Sequence, residues 1–219
     1  MPTSSSRFAL KEQTPMEKCD SGVSNLIFDL GGVILDLSMQ RTYDAFASLV
    51  NLQSEQIAET YHQHHEFMAY EKGELSDSDI RSALRDIFST SATDEELDVC
   101  WNAMLVDIPL KRIQLLEQLR SRFQLYLLSN TNSIHIQYFN QLLKRNSRYD
   151  CLDPLFDQAF YSHRINMRKP DLEIYEYVLS QNNLNAKETL FMDDNLEAAE
   201  QLGIKTYHVQ NPDNILNLF

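Results

Sequence analysis

Short apolar runs alternate along the chain with longer stretches whose apolar residues recur at helical spacing. The runs have the length of buried strands, and polar, turn-forming residues end them. Five strands are predicted in this way, at residues 26–28, 124–128, 158–161, 189–192 and 205–209. Helices are predicted between them, at residues 110–121, from the turn at 129–132 to about 146, at 171–180 and at 196–202. This alternation predicts an α/β fold with a parallel sheet and right-handed crossovers.

The stretch from residue 39 to residue 107 has a different pattern, because the apolar spacing from Ser54 to Trp101 stays helical and strand-poor. A helix is predicted from Met39 to Leu49. Three residues have the positions of N-caps for further helices: Ser54, Ser76 and Asp94. We therefore predict a small helical cap inserted after the first strand.

These patterns divide the chain into three parts. Residues 25–38 and 108–219 form the predicted core domain, and residues 39–107 form the predicted cap. Residues 1–24 are polar and without periodicity, and we expect them to be a flexible leader.

The first strand ends in a carboxylate, Asp29, followed closely by the Gly31-Gly32 pair. Two of the five glycines in the chain lie here, which indicates a tight loop where the backbone approaches another group. Asp29 is placed to act as nucleophile, metal ligand or both. The alternative is a turn-forming aspartate that folds back over the glycines.

Polar residues also end two later strands, as Ser129-Asn130 and as Asp193-Asp194. In a parallel sheet these strand ends share one edge with Asp29. Two acidic strand ends repel each other unless a cation lies between them, and Mg²⁺ suits a site of few carboxylates, a backbone carbonyl and waters. Ser129 and the backbone N–H groups after it have the position to hold phosphate oxygens. Lys169 adds the positive charge that phosphoryl transfer requires.

The net charge of the chain limits the classes of partner that it can bind. The formal net charge of −13 argues against a nucleic acid or an anionic membrane as partner. An anionic small substrate remains compatible with it when a bound cation offsets the charge locally. The three cysteines, Cys19, Cys100 and Cys151, lack metal or redox spacing and indicate reduced thiols, as in the cytoplasm. No apolar segment has the length of a membrane span or the form of a signal peptide.

Four motifs in this order resemble those of the haloacid dehalogenase-like (HAD) hydrolase superfamily. They are Phe28-Asp29-Leu30-Gly31-Gly32-Val33, Leu128-Ser129-Asn130-Thr131, Arg168-Lys169-Pro170-Asp171 and Phe191-Met192-Asp193-Asp194-Asn195. The resemblance implies a Rossmann-like parallel-sheet core with an inserted helical cap of the C1 type. Within the superfamily, the chain is most similar to sugar phosphatases of the alpha-D-glucose-1-phosphate phosphatase type.

The resemblance also implies roles for the residues at the strand ends. Asp29 would attack phosphorus and form an aspartyl-phosphate, while Ser129 and Lys169 bind the transferring group. Asp29, the backbone carbonyl of Gly31, and Asp193 or Asp194 would hold Mg²⁺. The predicted activity is the Mg²⁺-dependent hydrolysis of a small phosphomonoester, such as a sugar phosphate.

One position departs from the superfamily pattern. Most phosphatases of the superfamily have a second aspartate two residues after the nucleophile, as general acid and base, whereas this chain has Gly31. Two alternatives follow from the departure. The first is a non-catalytic protein that binds a phosphorylated ligand. The second is a metal-independent 2-haloacid dehalogenase, which the paired Asp193-Asp194 argues against.

Substrate choice is expected to depend on the cap. Arg41, near its base, and Glu71, at a turn between its helices, are the candidates to contact sugar hydroxyls. Asn130 in the core is a further predicted substrate-binding residue. The expected partner is a small phosphorylated metabolite, without nucleic acid or membrane. The protein is expected to be a cytoplasmic monomer or weak homo-oligomer.

Overall fold

The computed structural model describes residues 22–219. The predicted leader therefore lies outside the described residues up to residue 21, as does Cys19. Ser24, which the sequence placed in the leader, is held by backbone hydrogen bonds: its N–H donates to Glu188 O at 2.9 Å and its carbonyl accepts from Gln124 N at 3.0 Å. Ser24 is therefore fixed beside the sheet, contrary to its predicted place in the flexible leader.

Seven strands lie within residues 22–219. They are β1 (Asn25–Phe28), β2 (Asp36–Leu37), β3 (Leu105–Asp107), β4 (Gln124–Ser129), β5 (Gln158–Tyr161), β6 (Thr189–Asp193) and β7 (Lys205–His208). A parallel sheet has the order β5-β4-β1-β6-β7, and β2 pairs antiparallel with β3 in a separate ribbon. The five predicted strands and the α/β fold are confirmed. The ribbon was not predicted, and both of its strands lie outside the strand-poor stretch of residues 54–101.

Ten α-helices are present in the same range. They are α1 (Met39–Val50), α2 (Ser54–Gln63), α3 (Glu66–Glu71), α4 (Asp77–Phe88), α5 (Asp94–Asn102), α6 (Leu110–Leu119), α7 (Ser133–Asn146), α8 (Ser162–Ile165), α9 (Leu172–Gln181) and α10 (Glu197–Gln201). No helix of the described chain combines the length and apolar character needed to cross a membrane.

Two of the three predicted N-caps are each displaced by one residue. Ser76 is the N-cap of α4, and its side chain accepts from Asp79 N. Ser54 and Asp94 are instead the first residues of their helices, and the caps are Gln53 and Thr93. Each cap forms a reciprocal capping box with the residue three positions later in the chain. The N-cap of each helix therefore lies one residue earlier than the sequence indicated.

Helices cover both faces of the parallel sheet. Alternate residues of a strand point to opposite faces, so Leu26 and Phe28 of β1 join one apolar cluster while Ile27 joins the other. The first cluster packs under α6 and α7, and the second packs under α9 and α10. The parallel sheet is therefore buried on both faces, and the ends of its strands lie along one edge of a packed core.

The helices α1 to α5 have an apolar cluster of their own, which includes Phe46, Phe67, Leu84 and Trp101. Ile134 of α7 is the core residue that joins this cluster. We keep the division into a core (25–38 and 108–219) and a cap (39–107) as our proposal. The β2–β3 ribbon then connects the two parts, since β2 belongs to the proposed core and β3 to the proposed cap.

Candidate active site

The carboxyl ends of three neighbouring strands bring the predicted site residues together. Asp29 directly follows the central strand β1, and its N–H donates to Met192 O at 2.9 Å. Ser129 ends β4 and Asp193 ends β6, on either side of β1. Ser129 and Asp193 are buried. The parallel register therefore gathers these side chains at one edge, as the sequence indicated.

The ammonium group of Lys169 lies between the two carboxylates. Its Nζ is 2.8 Å from Asp29 Oδ1 and 2.5 Å from Asp193 Oδ2. Burial by itself lowers the pKa of Lys169, but the charges of Asp29 and Asp193 outweigh burial and raise it. Lys169 therefore stays protonated while it is in contact with the two acids.

The two carboxylates carry more negative charge than Lys169 neutralises. Burial raises the pKa of Asp29 to about 6 against the lowering effect of Lys169, and Asp193 adds to the rise. A cation beside Asp29 and Asp193 would relieve this repulsion. Within the part of the chain described, no group of three or more His, Cys, Asp or Glu side chains has the arrangement of a metal site. Two carboxylates with the Gly31 carbonyl and waters are the donor set that fits Mg²⁺.

The two acids of the Asp193-Asp194 pair have different surroundings. Asp193 is buried, and its Oδ1 accepts from the backbone N–H of Asp194 at 2.6 Å. Asp194 is exposed, although it lines the same cavity. Asp193 Oδ2 already contacts Lys169, and its Oδ1 also accepts from Asn195 N at 3.2 Å. Asp193 and Asp194 therefore both stay candidates for the metal ligand.

Asn130 was predicted to bind substrate, but its side chain is engaged with the backbone of Lys169. Its Nδ2 donates to Lys169 O at 2.9 Å, and its Oδ1 accepts from Lys169 N at 2.9 Å. This reciprocal pair satisfies the amide and joins the end of β4 to the loop that carries Lys169. The geometry makes Asn130 a positioning residue for Lys169.

The loop after β4 is also fixed by hydrogen bonds. The N–H of Thr131 donates to Ser162 Oγ at 2.9 Å, and Ser162 Oγ donates back to Thr131 O at 3.0 Å. The Thr131 N–H is therefore engaged and not available to a phosphate, although it is one of the backbone N–H groups after Ser129 that were predicted to hold phosphate oxygens. Ser162 is fully buried, and no sequence pattern singled it out.

A cavity of about 350 Å³ lies between the strand ends and the helices α1, α2, α3 and α5. It is lined by the expected Asp29, Gly31, Ser129, Asn130, Glu71, Lys169, Asp193 and Asp194. The sequence analysis missed further polar and aromatic lining residues: Thr42, Tyr61, Trp101, His135 and Arg168. Arg168 precedes Lys169 within a quoted motif, and that adjacency was the available signal.

Arg41 is not brought to this cavity. It is exposed on α1, whereas its neighbour Thr42 is buried and lines the cavity. Successive residues of an α-helix point about 100° apart, so the docking of α1 through Thr42 turns Arg41 outward. The structure therefore does not support the predicted contact of Arg41 with a substrate.

The wall of the cavity contains a buried histidine on α7. Its Nε2 lies 3.2 Å from Trp101 O, so Nε2 carries the hydrogen, and Nδ1 accepts from Asn132 Nδ2 at 3.1 Å. Burial lowers the pKa of this residue, His135, to about 4. The ring also stacks on Trp101, with centroids 5.5 Å apart. His135 is thus a neutral contact between α7 and α5.

Gly31 lines the cavity at the position where an acid was expected from the superfamily pattern. Its backbone is not left-handed, whereas Gly32 has a φ of +74°. A Cβ at Gly31 would lie 3.3 Å from Leu37 Cδ2, the end of a flexible side chain. The loop therefore accommodates a side chain at residue 31 with a small shift of Leu37.

Comparisons with known proteins agree with this geometry. The model of the haloacid dehalogenase-like hydrolase family matches residues 23–202. A D-ribitol-5-phosphate phosphatase from Bacteroides thetaiotaomicron is 29% identical over 192 residues, which cover 86% of this chain and 93% of that protein. The sesquiterpene phosphatase astK from Aspergillus oryzae is 30% identical, over 84% of this chain and 88% of that protein.

A solved structure is also similar. It is a HAD family enzyme from Bacteroides thetaiotaomicron in complex with magnesium and inorganic phosphate, with a TM-score of 0.77 and 33% identity over 85% of this chain and 94% of that chain. The chain belongs to the haloacid dehalogenase-like hydrolase family. The family predicted from the four motifs is confirmed.

The reciprocal bonds of Asn130 lead to a prediction. Asn130→Ala removes both contacts to the Lys169 backbone, and a misplaced Lys169 should lower kcat by about 10–100-fold with a smaller change in KM. The measurement is steady-state hydrolysis of an aryl phosphate. Asn182→Ala, the same change at the end of α9, is the control and should leave both constants unchanged. An increase in KM alone would indicate that the Asn130 amide binds substrate instead.

Proposed function

We propose that this hydrolase is a Mg²⁺-dependent phosphatase that cleaves a small phosphomonoester, a sugar or sugar-alcohol phosphate, through an aspartyl-phosphate on Asp29. The observation that carries the proposal is the contact of the Lys169 ammonium with both Asp29 and Asp193 at adjacent strand ends. Such a site pairs a nucleophilic carboxylate with the positive charge that a phosphoryl group requires.

In the proposed reaction, an oxygen of Asp29 attacks phosphorus and the bond from phosphorus to the leaving oxygen breaks. Lys169 and Ser129 hold the transferring oxygens, and the leaving oxygen takes a proton from a cavity group or water. A water molecule then attacks phosphorus, which releases phosphate and restores the Asp29 carboxylate. Asp29, the Gly31 carbonyl and Asp193 or Asp194 would hold Mg²⁺, which would supply further positive charge to the phosphoryl oxygens.

Similarity to phosphatases supports the hydrolysis of a phosphomonoester, and similarity to a D-ribitol-5-phosphate phosphatase supports a sugar-alcohol phosphate as substrate. The relatives include phosphatases of D-ribitol 5-phosphate and of a sesquiterpene, and a HAD family enzyme at 33% identity was solved with magnesium and inorganic phosphate. The charged groups Glu71 and Arg168 in the cavity wall favour a hydroxylated leaving group over an apolar one. The proposal includes a cytoplasmic monomer or weak homo-oligomer.

The two alternatives from the sequence have less support. A metal-independent dehalogenase would have no cation to offset the repulsion between the buried carboxylates of Asp29 and Asp193. A non-catalytic binding protein would have no need for an ionisable carboxylate held against Lys169. Gly31 is the one feature that favours a non-catalytic protein. The first experiment below tests whether the site is catalytic, and the second tests the consequence of Gly31.

The first experiment tests the nucleophile and the metal together. Asp29→Asn keeps the shape of the side chain but removes the attacking charge, and should lower kcat for an aryl phosphate by at least about 10³-fold. Excess EDTA should abolish wild-type turnover, and added Mg²⁺ should restore it. Asp150→Asn, at an exposed residue paired with Lys144, is the matched control. Near-normal turnover by Asp29→Asn, or full activity in EDTA, would contradict the proposal.

The second experiment tests the consequence of Gly31. Without an acid at residue 31, kcat/KM should fall steeply as the pKa of the leaving group rises, so that nitrophenyl phosphate reacts faster than alkyl phosphates. Gly31→Asp should flatten this dependence, because general acid catalysis contributes ~10²–10⁴-fold. Gly31→Asn has a similar size without the acid and should stay steep. An equal, shallow dependence in all three proteins would show that protonation does not limit the rate.

A further inference from the structure

Three polar side chains line one cavity and retain groups without a hydrogen-bond partner. They are Tyr61 of α2, Glu71 of α3 and Arg168 of the loop before Lys169. We propose that these residues, the hydroxyl site, bind adjacent hydroxyl groups of the leaving group and make the enzyme selective for a polyhydroxylated phosphomonoester. The proposal rests on the phosphatase function proposed above and assigns the residues that select its hydroxylated substrate.

The pairing of Glu71 with Arg168 is one-sided. Arg168 Nε and Nη2 both donate to Glu71 Oε2, at 3.2 and 3.0 Å. A fork-to-fork pair would use both carboxylate oxygens. Here Glu71 Oε1 and Arg168 Nη1 have no hydrogen bond to any described residue, and neither atom belongs to the fully buried groups that lack a partner. The pair therefore retains one unpaired acceptor and one unpaired donor on two residues that line the cavity.

Tyr61 supplies the third group. Its ring is fixed by stacking on Phe67, with centroids 4.6 Å apart, and by a tilted contact with Tyr43 at 6.3 Å. No hydrogen bond within residues 22–219 involves its hydroxyl group, which is not among the fully buried groups without a partner. Burial and the nearby charge of Glu71 raise the pKa of Tyr61, so it stays a donor at neutral pH.

This combination matches the chemistry of neighbouring hydroxyl groups. A hydroxyl donates to Glu71 Oε1, and an adjacent hydroxyl oxygen accepts from Arg168 Nη1 or from Tyr61. An alkyl leaving group would cover these polar groups and leave them without partners, which costs binding free energy. A site built to pair with hydroxyl groups discriminates strongly against an analogue that lacks them.

The hydroxyl site also joins the proposed cap to the catalytic loop. Tyr61 and Glu71 come from cap helices, whereas Arg168 directly precedes Lys169 in the sequence. A second ion pair lies beside it, between Lys72 Nζ and Asp171 Oδ2 at 3.2 Å. A leaving group bound to both parts is therefore held in place relative to Lys169.

The test compares three phosphate esters: a pentitol phosphate, n-pentyl phosphate and an aryl phosphate. The wild type should have a higher kcat/KM for the pentitol phosphate than for n-pentyl phosphate. Tyr61→Phe keeps the stacked ring, and Glu71→Gln keeps the side-chain shape. Each should lower the ratio of kcat/KM for the pentitol phosphate to that for the aryl phosphate by about 10-fold, mainly through KM.

Tyr43→Phe is the matched control, because Tyr43 contacts the Tyr61 ring but does not line the cavity. It should leave the ratio unchanged. An unchanged ratio in both Tyr61→Phe and Glu71→Gln, or a wild type without preference for the pentitol phosphate, would overturn the hydroxyl site while aryl phosphate turnover upholds the phosphatase function. A wild type that hydrolyses none of the three esters would overturn both proposals.

Discussion

The contact of one ammonium group with two buried carboxylates is the constraint on which the site depends. Lys169 lies within 2.8 Å of Asp29 and 2.5 Å of Asp193, and all three come from different segments of the chain. Removing one partner of a buried ion pair typically costs about 3–5 kcal/mol, because the remaining charge is left uncompensated. The strand register and the Asn130 amide hold these groups together. The proposed nucleophile and the proposed phosphoryl-binding charge are thereby kept in contact.

The net negative charge of Asp29, Asp193 and Lys169 is the reason for proposing that the site binds a divalent cation and then a phosphate group. One Lys169 cannot neutralise Asp29 and Asp193, and a divalent cation beside them would complete the balance. A phosphate dianion would then enter a site that has become positive, although the chain as a whole carries −13. Selectivity is proposed to lie elsewhere in the same cavity, where the Glu71 and Arg168 pair faces the leaving group.

The sequence predicted the strand ends well, because a buried run followed by polar residues is a local pattern and parallel strands share one edge. It missed the β2–β3 ribbon, since two or three residues are too few for periodicity. It placed Arg41 at the site wrongly. The face of α1 that turns to the cavity is set by tertiary packing, which the sequence does not show. The amide of Asn130 was misassigned because its partner, Lys169, is 39 residues away. Tyr61 reaches the cavity through aromatic packing that no local pattern encodes.

The central claim is that Asp29 carries the phosphoryl group during turnover. The most direct measurement is to quench the enzyme with acid during hydrolysis of an aryl phosphate and to reduce the protein with borohydride. An acyl phosphate on aspartate becomes homoserine under these conditions, and peptide mass spectrometry locates it. The account predicts homoserine at residue 29, dependent on both substrate and Mg²⁺. Steady turnover with unmodified Asp29, or a phosphoryl group on another residue, would contradict it.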